Sequence, residues 1–320
     1  MKISIPKFFI LSIITITCCS WGFFGHKKIN NHAVFILPKL MIGFYKNNIT
    51  YVTEHAVDPD KRRYIDKAEA PRHFLDADQY GKLPFDSIPQ KWDAAADKFS
   101  ADTLNKYGIV PWSIQRNYYR LVQAFKDLDS AKILKYSADL GHYIADAHVP
   151  LHMTSNYNGQ LTNQTGIHAF WESRLPELFA EQYDFFTGKA VYIDDPLKHA
   201  WAICKNTYSC LDDVLKMEKQ LQLTFRSDQK YTFIKNNSKI IRNYAEPYAA
   251  SYNNLLDGMV EKQMRASILA VGSYWFSAWV DAGQPNLQGM IKRELSEEDK
   301  MKEKLEEYHF QNGKILGREL

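Results

Sequence analysis

The sequence is short of the features that mark several classes of protein. Its 320 residues contain only 15 glycines, 12 prolines and 4 cysteines, and 45% of them are hydrophobic. Beyond the first twenty residues, no apolar run approaches the ~18 residues expected of a membrane-spanning helix. No Gly-rich phosphate loop occurs, and alternation typical of β-strands is scarce. This composition excludes collagen, low-complexity and intrinsically disordered proteins, because so much apolar matter can bury a core.

The first twenty residues have the pattern of a secretory signal peptide. Lys2 and Lys7 precede an apolar run over residues 8–16, and small residues follow up to Ser20. We therefore expect cleavage after Ser20 and export to the periplasm or the cell exterior. A buried N-terminal helix and a membrane anchor are the alternatives.

Removing such a signal peptide changes the charge and the cysteine content. The 40 basic residues fall to 38 against 37 acidic ones, which leaves no bulk positive charge for gripping duplex nucleic acid. Cys18 and Cys19 leave with the signal peptide unless one of them carries a lipid. Cys204 and Cys210 remain, either as a local disulfide or as two buried thiols. So few thiolates argue against iron–sulfur clusters and cysteine-held zinc.

Apolar residues at three- and four-residue spacing predict helices along most of the chain. The predicted helices cover residues 27–45, 111–128, 130–146, 168–179, 196–223 and 237–280. The sequence thus predicts an all-α fold, with a single multi-helix domain over residues 21–293. Residues 294–320 are strongly charged and are expected to form a C-terminal surface helix or a frayed tail.

Two matching pairs of side chains suggest metal chemistry. His142 and Asp146 are four residues apart, as are His168 and Glu172, so each pair shares one face of a helix. One such pair is more often a surface ion pair, but two pairs bracketing His152 within about thirty residues are unlikely to be coincidence. Inward-facing pairs of this kind form multi-metal sites in helical bundles, and imidazole with carboxylate suits zinc.

Further motifs resemble a known superfamily. Residues 21–26 are Trp-Gly-Phe-Phe-Gly-His, and residues 70–76 are Ala-Pro-Arg-His-Phe-Leu-Asp. With the two pairs above, they make the mature chain resemble the superfamily of zinc-dependent phospholipases C and single-strand-specific zinc nucleases. The resemblance implies an exported, all-helical phosphodiesterase built around three zinc ions.

The resemblance also implies which residues hold each zinc ion. The first ion would be held by Asp60, His73, His142 and Asp146. The second would be held by His152, His168 and Glu172. The third would be held by the free amine and carbonyl of Trp21, with His26 and a shared Asp146. A free amine at Trp21 requires cleavage after Ser20.

The bridging aspartate has two candidates. Asp58 keeps the common spacing to His73, whereas Asp60 matches an Asp-x-x-Arg pattern that ends at Arg63. Asp60 is preferred, since the two-residue deletion it requires in a loop is cheap. The resemblance then implies that Asp60 bridges metals and orients the attacking water. Arg63 would stabilise charge on the phosphoryl oxygens.

Some residues favour a nucleic-acid substrate and others favour a phospholipid substrate. The 21–26 motif, the Asp-x-x-Arg pattern and the proline before His73 favour the nuclease branch. Phe74 and Asp76 match positions that stack on and hydrogen-bond a nucleobase there, although phospholipases also carry His-Phe-x-Asp. Glu172 and Phe170 depart from the nuclease pattern, and Glu172 is the residue that phospholipases have.

The leading hypothesis is therefore a nuclease that acts on single-stranded nucleic acid or nucleotides. The alternatives are a phospholipase C acting on phospholipid headgroups and a zinc-binding protein without turnover. No stable protein partner is expected, and the protein is expected to be a monomer. An Asn-rich stretch at residues 155–165 is interpreted as an exposed loop, with substrate contact as the less favoured alternative.

Overall fold

The protein is described here from a computed structural model covering residues 22–236, 239–290, 294 and 296–318. Most of these residues are helical, so the predicted all-α fold class is confirmed. The α-helices are α1 (Gly22–Ala33), α2 (Lys39–Asn47), α3 (Ile49–Glu54), α4 (Asp58–Arg62), α5 (Pro84–Ser87), α6 (Trp92–Phe99), α7 (Ala101–Tyr107), α8 (Val110–Lys126), α9 (Ser130–Asp146), α10 (Ile167–Ala169), α11 (Leu175–Phe179), α12 (Pro196–Tyr208), α13 (Leu211–Thr224), α14 (Glu246–Leu255), α15 (Met259–Asp281) and α16 (Glu297–Asn312).

Shorter helical turns and one hairpin complete the described fold. The turns are Val34–Ile36, His55–Val57, Ala70–His73, Ala77–Tyr80, Pro150–Met153, Phe170–Arg174, Ala180–Gln182 and Ser227–Gln229. The strands are β1 (Tyr231–Asn236) and β2 (Lys239–Tyr244), which pair antiparallel. None of the helices in the described part of the chain is long and apolar enough to cross a membrane.

Local chemistry explains where the helices begin and end. Helix α9 matches its predicted bounds because the Asp129 side chain caps it, accepting a 3.1 Å hydrogen bond from the Lys132 amide. The predicted helix 27–45 is divided before Pro38, which lacks an amide hydrogen. The predicted helix 237–280 is wrong in its first part: residues 239–244 form β2, and Gly258, at φ 70°, separates α14 from α15.

The core lies where α1, α8, α9 and α15 pack together. Helix α15 supplies Trp275, whose ring stacks on Tyr45 at 5.0 Å and whose indole N–H donates to the Ser137 carbonyl at 3.0 Å. Every residue of α9 from Ser137 to Asp146 is buried. This helix therefore carries its last turn, with His142 and Asp146, into the interior.

Within the charged C-terminal region, residues 297–312 form helix α16, and the described residues after it contact the rest of the protein. Helix α16 packs against α4 and ends at Asn312. The following residues, called segment 314–318 below, return to the site. The Leu316 amide there donates to the Arg63 carbonyl at 2.8 Å.

Cys204 and Cys210 are free thiols, so the local disulfide is not formed. Cys204 is fully buried in the core. Cys210 accepts a 3.3 Å hydrogen bond from the Gln263 amide. Their role in this fold is therefore packing rather than cross-linking.

Candidate metal centre

Eight of the nine predicted metal ligands lie together in the interior, and the ninth, Trp21, lies outside the described residues. They come from α1, α4, α9, α10 and the turns 70–73, 150–153 and 170–174. None of the eight is more than 2% exposed. The eight are His26, Asp60, His73, His142, Asp146, His152, His168 and Glu172.

Asp146 is at the centre of the group. Its Oδ2 is 2.8 Å from His73 Nδ1 and 3.2 Å from His142 Nε2. Its Oδ1 is 3.5 Å from His26 Nε2 and 3.6 Å from His152 Nδ1. One carboxylate thus faces four imidazoles, the arrangement needed to share negative charge between neighbouring cations.

Asp60, rather than Asp58, belongs to this group. Its Oδ1 is 3.8 Å from both His73 Nδ1 and His142 Nε2, which are themselves 3.0 Å apart. Asp58 instead contacts His55 Nδ1 at 2.6 Å, outside the cluster. The structure therefore places the aspartate of the Asp-x-x-Arg pattern beside the histidines.

A second group consists of His152, His168 and Glu172. The Nε2 atoms of the two histidines are 3.1 Å apart, and Glu172 Oε2 contacts His168 Nε2 and is 3.6 Å from His152 Nε2. Glu172 lies in the Phe170–Arg174 turn, a widened π-type turn within the helical run from α10 to α11. Such turns re-aim side chains and are frequent at functional sites.

Backbone carbonyls orient two of the imidazoles. His142 Nδ1 donates to the Ala56 carbonyl at 2.8 Å, and His152 Nδ1 donates to the His73 carbonyl at 2.7 Å. Each bond leaves the Nε2 lone pair directed at the cluster, as in histidines that bind metals.

The electrostatics of the cluster match a site for cations. Burial lowers the pKa of His152 to about 3 and holds the pKa of His168 well below its usual range, so both rings are neutral donors. Burial, reinforced by Asp146, raises the pKa of Glu172 well above its usual range. No described residue forms a hydrogen bond to either Glu172 oxygen or either His26 ring nitrogen. These nitrogen and oxygen donors fit zinc.

Next to the cluster lies an aromatic slot, which we define by Phe74, Tyr157 and Asp76. Arg318 occupies it: its Cζ is 4.0 Å from the centroid of the Phe74 ring and 3.9 Å from that of Tyr157. The guanidinium donates to Asp76 and, at 3.0 Å, to the Thr154 carbonyl. The slot therefore accommodates a flat, nitrogen-bearing group.

Arg63 connects the slot to the cluster. Its side chain is fully buried, and its Nη1 is 3.6 Å from Asp60 Oδ1. Its Nη2 donates to the Arg318 carbonyl, while its Nε has no hydrogen-bond partner among the described residues. Arg63 thus has donor capacity available for an anion.

Sequence reasoning missed three residues of the site. Tyr157 lies in the stretch interpreted as an exposed loop, and Arg318 lies in the charged tail. Glu69 is fully buried, accepts hydrogen bonds from Arg72 and Tyr143, and is 3.6 Å from His73 Nε2. The Asn-rich composition at 155–165 was the only indication for Tyr157; nothing in the sequence pointed to Glu69 or Arg318.

Phe170 has a packing explanation. Its ring is buried and stacks on Tyr244 at 3.8 Å, so it joins the hairpin to the wall of the site. The departure from the nuclease pattern at this position therefore places an apolar side chain in the core.

Comparison with protein-family models gives one match, described as zinc dependent phospholipase C, over residues 25–250. No curated protein matches the chain. The matched region covers more than half of the chain and contains all eight described cluster residues. The protein belongs to the zinc-dependent phospholipase C family, whose members are zinc-dependent phosphodiester hydrolases.

Proposed function

We propose that this protein is an exported zinc phosphodiesterase whose substrate is single-stranded nucleic acid or a nucleotide. The observation that favours a nucleotide is the aromatic slot beside the cluster. Phe74 directly follows the cluster residue His73, and the Tyr157 ring is 6.3 Å from that of His168. A base held in the slot would present its phosphate towards the cluster.

Three groups would hold zinc. They are Asp60, His73 and His142 with Asp146; His152, His168 and Glu172; and His26 with the shared Asp146. When bound, zinc supplies Lewis acidity at the phosphoryl group and makes a bound water more acidic. Three ions per chain is our proposal, with the amine and carbonyl of Trp21 completing the last of these groups.

The chain's own residues position the reactants. Asp60 is proposed to orient the attacking water and accept its proton on a carboxylate oxygen. Arg63, 3.6 Å away, is proposed to donate to the phosphoryl oxygens as negative charge gathers on them. Burial of both side chains strengthens these interactions, because little water is present to screen them.

The slot has the chemistry that a nucleobase requires. The rings of Phe74 and Tyr157 offer faces for stacking. The Asp76 carboxylate accepts a hydrogen bond from the group that lies against these rings, which in this structure is the Arg318 guanidinium. Stacking of a base on an aromatic side chain contributes about 1–3 kcal/mol. A quaternary ammonium headgroup would gain the cation–π attraction but could not donate to Asp76.

A panel of substrates tests the proposal. Zinc-loaded protein is incubated with single-stranded DNA, RNA and phosphatidylcholine vesicles. Tyr157→Ala is expected to raise KM for the nucleic acids by about 5- to 150-fold, from the stacking energy above. Tyr157→Phe, which keeps the ring, is expected to raise it much less. Hydrolysis of phosphatidylcholine alone would contradict the nucleotide substrate, and hydrolysis of none would favour a zinc-binding protein without turnover.

A phospholipid is the second candidate, and the β1–β2 hairpin favours it. Phe233 pairs with Arg242, and Ile240 is two residues before Arg242 on β2, so these three positions share one face of the hairpin. Phe233 and Ile240 are 73% and 75% exposed. An exposed face that combines apolar and basic residues suits the surface of an anionic bilayer.

A paired variant distinguishes this candidate. Phe233→Ser with Ile240→Ser is expected to reduce hydrolysis of vesicle phospholipid while sparing hydrolysis of the same phospholipid dispersed as monomers. The Tyr157 variants are the comparison, because a change in the slot affects hydrolysis of the lipid in vesicles and as monomers alike. An equal loss of hydrolysis on vesicles and on monomeric lipid would exclude a role of the hairpin in docking to the bilayer.

Export and cleavage after Ser20 are also proposed. A Cβ at Gly22 would be only 2.8 Å from Ser173 Oγ, so the start of α1 lies against the turn that carries Glu172, and residue 21 is the covalent neighbour of Gly22. This proximity supports a zinc ligand at Trp21, whose free amine requires cleavage after Ser20. Mass spectrometry of the mature protein is expected to find Trp21 as the first residue; a start upstream of it would leave no free amine at Trp21 to bind zinc.

A further inference from the structure

Segment 314–318 contacts the side chains that a substrate would need. The Arg318 guanidinium lies against Phe74 and donates to Asp76. Its carbonyl oxygen accepts a hydrogen bond from Arg63. The resemblance to the zinc nucleases implies base binding by Phe74 and Asp76 and phosphate stabilisation by Arg63, and Arg318 contacts all three. While Arg318 is in the slot, no base or headgroup can enter.

The backbone of the segment is built for this approach. The Leu316 amide donates to the Arg63 carbonyl at 2.8 Å. Gly317 has φ +92°, which favours glycine, and a Cβ there would be 3.0 Å from the Ala70 Cβ. Position 317 therefore needs a glycine for two independent reasons, and that glycine directly precedes Arg318.

The other wall of the slot is held in place. Asp78 accepts hydrogen bonds from the Ser155 amide at 2.9 Å and from the Ser155 hydroxyl at 2.6 Å. These bonds anchor the start of the loop that presents Tyr157 to Arg318. The slot is thus a formed site, and Arg318, six residues beyond the end of α16, is the group that a ligand would have to displace from it.

We propose that segment 314–318 is an intramolecular inhibitor in which Arg318 competes with the substrate's base or headgroup for the aromatic slot. The guanidinium resembles both ligands, because it is flat and donates hydrogen bonds like a base and is cationic like a headgroup. A short tether gives Arg318 an effective concentration near the slot in the millimolar range. Substrate then binds only to the fraction of molecules whose slot is open, which weakens its apparent affinity.

Binding measurements test the competition; the identity of the ligand rests on the proposed function. Zinc-loaded protein, whole or shortened to end at Gly313, is titrated by calorimetry with adenosine 5′-monophosphate and with phosphocholine. At least one probe is expected to bind the shortened chain about tenfold more tightly or better. The probe that gains indicates whether the natural ligand is a base or a headgroup.

Point variants separate Arg318 from the rest of the segment. Arg318→Gln is expected to give most of the gain, and Gly317→Ala part of it, because it displaces the backbone. Lys314→Ala removes the same charge at an exposed position of the segment and is expected to change nothing. Weaker binding and slower turnover in the shortened chain would make Arg318 a substrate-binding residue and overturn the inference.

Hydrogen–deuterium exchange tests docking without any substrate. The Leu316 amide is expected to exchange slowly in the whole protein, faster in Gly317→Ala, and faster when a probe binds. Free exchange in the unmodified protein would overturn the inference whatever the substrate. If Leu316 is protected but no probe binds even the shortened chain, docking stands and the proposed function fails.

Discussion

At the scale of single residues, the centre depends on buried charges that meet at short distances. Asp146 faces four imidazoles, and Asp60 lies 3.8 Å from two of them. Burial raises the pKa of Glu172 well above its usual range, so this carboxyl group needs a neighbouring cation to stay charged. Positions of this kind tolerate little change, because each side chain affects the charge of its neighbours.

Asp60→Asn tests whether Asp60 accepts the proton of the attacking water in addition to binding zinc. The amide keeps the size of the side chain but cannot accept a proton, so turnover is expected to fall by about 10²–10⁴-fold. Much of the zinc is expected to remain, since the other ligands are intact. Turnover and zinc content are measured on the same sample. Asp58→Asn is the matched control, and loss of turnover there with full activity in Asp60→Asn would assign the role to Asp58.

At the scale of helices, close approach of α1 and α9 positions the site. Asn30 on α1 donates to the Val52 and Ala138 carbonyls at 3.1 and 3.2 Å. A Cβ at Gly141 would be 2.0 Å from Asn30 Oδ1. The glycine that precedes His142 thus allows the two helices to bring His26 and His142 to a ring separation of 3.9 Å.

Gly141→Ala is expected to destabilise the fold although alanine favours helices. The helix propensity gains about 1 kcal/mol, but the clash with Asn30 costs about 1–3 kcal/mol and breaks its hydrogen bonds. Denaturant unfolding measures the net change. Gly43→Ala, at an exposed position of α2 with no atom within 4 Å of the new Cβ, is the control and is expected to stabilise by about 0.5–1 kcal/mol. A stabilised Gly141→Ala protein would contradict the close approach.

Docking of α16 is expected to depend on pH through Glu306. Burial raises the pKa of this carboxyl to about 7, with Asp58 and Asp139 adding to the effect and Arg62 and Lys135 opposing it. The folded state therefore binds more protons than the unfolded state between pH 4.5 and 7. The free energy of unfolding should consequently fall as pH rises through this range.

Glu306→Gln measures this contribution, because the amide stays neutral. The variant is expected to gain stability relative to the unmodified protein as pH rises from about 4.5 to 7, and to keep that gain above pH 7. Urea unfolding at several pH values provides the data. Glu298→Gln, at an exposed position of the same helix, is the matched control. A stability difference that does not change with pH would show that Glu306 is charged when folded.

At the scale of the whole molecule, the cluster ties distant parts of the chain together. Its described members extend from His26 to Glu172 and lie on helices and turns that pack around α9. Ions bound there would cross-link these elements. Segment 314–318 adds a contact from the far end of the described chain to Arg63 and Asp76.

Zinc removal is therefore expected to destabilise the entire fold. Ligand linkage gives about 2.7 kcal/mol of stabilisation for each site at a free zinc concentration of 100 times its Kd. Thermal unfolding with zinc and with a chelator should show the difference as a shift in Tm. His152→Ala is expected to reduce the shift, whereas His199→Gln, outside the cluster, should not. A Tm unaffected by zinc in the unmodified protein would contradict the metal centre.

The sequence by itself determined the helical class and the two pairs of side chains that share a helix face. Spacing of four residues is a local property of a helix, so the pairs at 142/146 and 168/172 were predictable without a structure. The cap at Asp129 and the break at Pro38 are also local, although the predicted helix 27–45 ran through Pro38. The hairpin was missed because its apolar residues also fit a helical period over so short a stretch.

Only the tertiary structure decided which aspartate joins the histidines and what lies in the slot. Asp58 and Asp60 are two residues apart, and the way α4 packs, rather than their identity, turns Asp60 inward. Arg318 meets Asp76 across 242 residues of chain. No sequence period encodes a contact of that range, because it depends on how helices α4, α9 and α16 pack and on a glycine that lets the backbone pass Ala70.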